Sequence, residues 1–306
     1  MTLSPRAVVV HRRTELDELL VRHGTRGGAE FFLRSRGRTL ADVQARHDAV
    51  QSALAAVSAA IPMDWRRGLV ERADLDRFLF AAEDVIVAVG QDGLVANLAK
   101  YLQGQPVLGV NAEPGVHPGV LVPLPASAVA ASLLLAGSGR APVERRTMVE
   151  AVSDDGQRLT ALNEIFLGHP SHQSARYRLR TPAGPAERQS SSGVIVGTGT
   201  GATGWCRSIG SERGSALVFP RPCERSLVWF VREAWPSPAT FTTRTEGVLG
   251  ADESLALTAE SDGLVVFGDG IESDRLVLSW GQQLTVRVAP DVLCLVRNGV
   301  RDVSAD

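Results

Sequence analysis

Lysine is nearly missing from this chain: among 306 residues only Lys100 is one, and arginine supplies the remaining fixed positive charge. A phosphate would therefore have to be held by arginine or by backbone N–H groups, unless Lys100 is placed to help. Lysine and arginine together number 32 against 34 acidic residues, a net charge of −2. That balance lacks the basic footprint of a nucleic-acid binder. Cysteine is scarce as well. Cys206, Cys223 and Cys294 lie far apart with no C-x-x-C pair, which excludes a disulfide framework and a zinc site. No pattern supports a cysteine nucleophile, and buried or inert thiols are expected. Long apolar runs are absent. The longest mild one, ASAVAASLLLAG (126–137), is too short to cross a bilayer. The opening MTLSPRAVVVHRR has no basic n-region followed by a long apolar stretch and a cleavage site. The expectation is a cytoplasmic protein with no membrane partner. His169-Pro170-Ser171-His172 has no third ligand in view, so no metal held by side chains alone is expected.

What is present is enough apolar sequence, 44% of residues, for one large domain or two modest ones. Over 1–125, strand-like and helix-like segments alternate. RAVVVH, Val85–Val89 and QPVLGVN read as strands. TELDELLVRHG, with Thr14 as N-cap, and ADVQARHDAVQSALAAVSAAI (41–61) read as helices. Glu30–Leu33 reads as a short strand and ADLDRFLF as a short helix. The alternation predicts an α/β domain built on an open, mostly parallel sheet. Residues 126–290 read as a β-rich, antiparallel domain. A helix at Pro125–Ala136 leads into β candidates that include RTMVEAVS, SALVFP, SLVWFVREAW, ATFTTRTEGVL, SLALTAE and GLVVFGDG. Only the region 199–210 looks helical there. The boundary falls near residue 125, at LVPLPAS, and a terminal segment, 291–306, could return to the first domain.

Two glycine turns bear on chemistry. In GVIVGTGTGATGW (193–205), Gly199-x-Gly201-x-x-Gly204 has the spacing of a dinucleotide fingerprint. A Rossmann turn, however, belongs in the first βαβ unit with an acid about 20 positions on. Here the loop lies deep in the β-rich half, its helix is soon broken by Gly210 and Gly214, and the next β candidate leads to Arg221. The other turn, Gly90-Gln91-Asp92-Gly93, closes an apolar strand and opens a helix. Its N–H groups suit a phosphate. Equally, it can be an ordinary βα turn with Asp92 as the helix cap.

Taken in order, Gly90–Gly93, Asn111-Ala112-Glu113-Pro114, Leu162-Asn163-Glu164, Ser191-Ser192-Gly193, Thr198–Trp205 and Asp269-Gly270 resemble the NAD kinase family. That family has a G-G-D-G-T turn, an N-T-D-P-like turn, an L-N-E segment, a T-x-T-G-S-T-A-Y-like loop and a late D-G. The S-S-G and the tryptophan look closest to its mitochondrial-type branch. Gln91 and Leu94 stand where the family has Gly and Thr, and Ala202 and Gly204 where it has Ser and Ala. The resemblance implies the two-domain fold, with NAD bound between the domains as substrate rather than as redox cofactor. Asp92 would be the catalytic acid-base. Gly90, Gln91, Gly93 and Asn111 would meet the phosphoryl donor, ATP or polyphosphate with Mg²⁺. Asn163, Glu164, Ser192, Gly193, Thr198, Gly199, Thr200, Gly201, Thr203 and Trp205 would hold NAD, with the indole stacking on a base. A homodimer formed through the β-rich half is implied too. A catalytically silent NAD(P) sensor, or a kinase of the same fold acting on a lipid or another nucleotide, are the competing readings.

Overall fold

The computed structural model describes residues 4–116 and 119–297, so the end of the expected terminal segment, 298–306, lies outside the described residues. The chain divides into two compact units, one running to Glu144 and resuming at Cys294, the other spanning Arg145–Leu293.

The first unit is built on parallel strands β1 (Arg6–His11), β2 (Arg66–Glu71), β3 (Asp84–Gly90) and β4 (Pro106–Asn111) in the order β2-β1-β3-β4. Beyond β4, Cys294 and Leu295 of the chain's last strand pair parallel with Pro106 and Val107. The continuous apolar runs of β1 and β3 are buried along almost their whole length, as a parallel sheet covered on both faces requires. The helices are α1 (Glu15–His23), α2 (Arg26–Arg34), α3 (Leu40–Ala60), α4 (Asp92–Ala99) and α5 (Val129–Gly137). Thr14 caps α1 in a capping box with Asp17, and Gly24 ends it in the left-handed conformation.

Three local expectations are corrected here. Glu30–Leu33 lies within α2, because Thr25 accepts the Gly28 N–H and starts a helix whose Ala29 and Leu33 pack on Leu16, Leu19 and Val43. ADLDRFLF forms only a 3-10 turn, Arg72–Arg77. Finally, α5 packs Val129, Leu133 and Ala136 into the core with Val87 and Val110, which carries the first unit past residue 125.

The second unit holds two antiparallel sheets. Their strands are β5 (Val143–Ser153), β6 (Arg158–Ala161), β7 (Glu164–Gly168), β8 (Ala175–Arg180), β9 (Glu187–Ser191), β10 (Gly193–Gly197), β11 (Leu227–Arg232), β12 (Glu246–Leu249), β13 (Ser254–Ala259), β14 (Leu264–Gly268), β15 (Leu276–Leu278) and β16 (Gln283–Val296). One sheet includes β9, β8, β13 and the first part of β16, with the β5–β6 hairpin. The other runs β12-β11-β10-β7-β14-β15. Between them lies one core, where Tyr177, Leu179 and Leu257 meet Leu167, Val194, Trp229 and Val266. The second sheet's other face is covered by α6 (Trp205–Arg213), through Cys206 and Ile209 on Ile195, Val228 and Phe230. SALVFP is not a strand: residues 215–220 are irregular, and Phe219 turns into this smaller cluster.

Candidate functional site

In the first unit the candidate donor residues come together at the carboxyl end of the parallel strands, the edge where open α/β sheets bind ligands. Gly90 ends β3 beside Asn111 at the end of β4. Its φ of +153° suits glycine, and Leu94 lies directly beneath it and is buried. The hydroxyl lost with the family's Thr is thus replaced by a core side chain. Gln91 is the N-cap position of α4 but makes no side-chain cap bond. Instead its amide donates to Glu113 Oε2 at 3.3 Å, and Arg46 lies 3.7 Å from the same carboxylate. Gly93 has open space where a Cβ would be.

Asp92 does not cap the helix. Its carboxylate accepts the Leu121 N–H at 2.7 Å and the Val120 N–H at 3.1 Å. Gly109 makes this possible: a Cβ there would lie 1.9 Å from the Leu121 carbonyl oxygen, so only glycine lets the 120–121 backbone close on β4. Asn111 Oδ1 accepts the Glu113 N–H at 2.9 Å, an Asx turn. Lys100 sits at the opposite end of α4, over the Tyr101 ring.

The second unit gathers the candidate NAD residues around the bend Leu162-Asn163-Glu164. Thr198 closes on it from β10: its hydroxyl donates to Leu162 O at 2.5 Å and its N–H to Asn163 O at 2.9 Å. The same hydroxyl accepts the N–H groups of Thr200 and Gly201. Thr203 donates to Thr200 O. Gly193, at φ +131°, leaves no room for a Cβ beside Leu167 O, and Ser192 is exposed next to it. Trp205 lies near-parallel to Phe166 at 5.7 Å between centroids, with the Arg232 guanidinium 5.3 Å from its ring. Cys206, beneath Gly197, is a buried thiol pushed up to about 12 by burial and by the Glu164 charge.

Two side chains beyond the candidate site residues take part. Arg146 is only 3% exposed and reaches Thr200 Oγ1 at 3.5 Å. β5 is buried continuously from Arg146 to Ala151, so no period-2 alternation marked this residue in the sequence. Asp269, quoted only as part of the late D-G, accepts the Leu162 and Asn163 N–H groups at 2.9 and 2.6 Å. His169 Nδ1 accepts the Ser171 N–H within its turn. Among the described residues no group of three or more His, Cys, Asp or Glu converges on a metal position.

Burial, and after it the Asp269 carboxylate, push the Glu164 carboxyl up to about 7. The fold therefore prefers its protonated form. The stabilisation from that proton is complete below about 4.5, the ordinary value, and is lost as pH rises through about 7. It amounts to at most about 3 kcal/mol. Urea unfolding at pH 5 and pH 8 should show Glu164→Gln losing less stability than wild type over that interval. Equal losses would refute the assignment.

No family model matches the chain. An NAD kinase of Symbiobacterium thermophilum is 32% identical over 225 residues, covering 70% of this chain and 73% of that protein. An NAD kinase of Chlorobaculum tepidum is 24% identical over 236 residues, 76% of each. The mitochondrial NAD kinase 2 of Rattus norvegicus is 28% identical over 195 residues, 49% of this chain and 46% of that one. Among solved structures, an NAD kinase from Archaeoglobus fulgidus in complex with ATP superposes with a TM-score of 0.58 at 18% identity, covering 96% of this chain and 94% of that one. This likeness bears on the fold.

Proposed function

The chain belongs to the NAD kinase family, and from that premise we propose that it transfers the γ-phosphoryl group of ATP to the 2′-hydroxyl of the adenosine ribose of NAD. The observation that carries this reading is Asp92, an acid at the carboxyl edge of a parallel sheet, on a turn where Gly93 leaves the backbone open. In the reaction the 2′-oxygen forms a bond to the γ-phosphorus, the bond from that phosphorus to the β–γ bridging oxygen breaks, and ADP leaves. Asp92 accepts the hydroxyl proton. The turn's N–H groups share the phosphate charge. Mg²⁺ would arrive with ATP and would offset the phosphate charge, and Asp92 is the acid of the turn that would help to hold it.

At the other substrate, Asn163 and Glu164 take hydrogen bonds from one end of NAD, and the 198–205 loop wraps the other. Phe166 supports Trp205, so a base would meet the indole surface that remains exposed, beside Arg232. Self-association through the β-rich unit and a cytoplasmic setting accompany this reading. The sensor reading draws on Gln91, whose side chain is engaged with Glu113 where the family has glycine. The test is NADP formation by the purified chain with NAD, Mg²⁺ and either ATP or polyphosphate. Turnover is expected. NAD binding without turnover would favour the sensor.

A further inference from the structure

Asp269 is one of two non-glycine residues, with Glu233, that adopt positive φ among the described residues, at +52°. Outside glycine the left-handed conformation is uncommon, and aspartate reaches it where its short side chain finds local hydrogen bonds. Here the partners are backbone groups of the Leu162–Glu164 bend. Oδ2 accepts the Leu162 N–H at 2.9 Å. Oδ1 accepts the Asn163 N–H at 2.6 Å and, at 3.4 Å, that of Glu164. In return the Asp269 N–H donates to Glu164 O at 3.1 Å. Thr198 takes the carbonyl oxygens of Leu162 and Asn163. The bend is thus gripped on both polarities, its N–H groups by Asp269 and its C=O groups by Thr198.

We infer that Asp269 is a positioning residue for the NAD site: by gathering the amides of residues 162–164 on its carboxylate, it sets the direction in which the Asn163 and Glu164 side chains leave the backbone. The inference rests on the reading of those two side chains as NAD contacts. An anionic acceptor suits the task, because hydrogen bonds from N–H to carboxylate are shorter and stronger than neutral ones. Asparagine tolerates the same backbone conformation but has a single acceptor oxygen, so one bend N–H would face an NH₂ group. Alanine would lose every acceptor.

The experiment is steady-state kinetics on the full chain with NAD and ATP varied separately, beside deuterium exchange of the peptide containing residues 162–164. Relative to wild type, the KM for NAD should rise about tenfold in Asp269→Asn and about a hundredfold in Asp269→Ala, from charge-assisted bonds lost. The KM for ATP should stay within about twofold, and exchange at 162–164 should quicken in the same order. An unchanged KM for NAD in a folded Asp269→Ala protein overturns the inference. So does a parallel rise in both KM values, which would mark general loosening. If wild type makes no NADP, calorimetric NAD affinity replaces KM as the readout. If wild type also fails to bind NAD, the reading of Asn163 and Glu164 falls and this inference falls with it.

Discussion

Asp92→Asn should lower NADP formation about a thousandfold, in the middle of the range by which removing a positioned acid-base group slows a reaction, while NAD affinity changes little. Asparagine cannot take the 2′-hydroxyl proton. It also disturbs what the carboxylate now does, since Asp92 accepts both the Val120 and Leu121 N–H groups and an amide can accept at only one end. Part of the loss could thus be structural, and the Leu121 bond suggests how to separate the parts. A merely loosened 120–121 backbone should lower the unfolding midpoint and raise the KM for ATP, leaving kcat within about tenfold. Loss of the proton acceptor lowers kcat itself. Retention of most of kcat in Asp92→Asn would remove Asp92 from the chemistry and leave it as a clamp on residues 120–121.

How much of this was legible in sequence depended on range. The α/β then β-rich order follows from local period and was readable, because strands such as Val85–Val89 are continuous apolar runs and α3 is long. Four residues at Glu30–Leu33 were too short for period to decide, and the cap at Thr25 settled them as helix. At SALVFP, Leu217 and Phe219 serve a small cluster under α6, which a run of hydrophobic letters cannot distinguish from a strand. The candidate residues could be located by their motifs, but their partners could not. Asp92 meets amides 28 and 29 positions on. Asp269 meets amides more than 100 positions back. Arg146 and Arg145 are indistinguishable as letters, and only the fold, which buries β5 from Arg146 to Ala151, separates the buried cation from the exposed one.

Gly201→Ala should be among the costliest single methyls in the glycine-rich loop, because the atoms it would meet are backbone and cannot rotate away. A Cβ at Gly201 would lie 2.1 Å from the Asn163 carbonyl oxygen and 2.5 Å from its carbonyl carbon. Both are backbone atoms of the bend held by Asp269 and Thr198. Overpacking of this kind destabilises by about 1–3 kcal/mol, and any relaxation must move Asn163 itself. The expectation is a lower urea midpoint together with an NAD affinity reduced about a hundredfold or more, as for about 3 kcal/mol of misplacement. Gly27→Ala, in the open first turn of α2 with no atom within 4 Å of the new carbon, should be neutral or stabilising by up to about 1 kcal/mol. If Gly201→Ala behaved like Gly27→Ala, the crowding at Asn163 would not govern the loop. The same geometry accounts for a G-x-G-x-x-G pattern outside a Rossmann unit. Gly199 lies against Arg221 O and Gly201 against Asn163 O, each leaving 2.1 Å to a would-be Cβ, and Gly204 precedes α6 at a ψ of −116°. Gly199 and Gly201 answer to close approaches within the protein's own backbone and Gly204 to its backbone angles, so the motif matches a dinucleotide fingerprint in letters while serving a different fold.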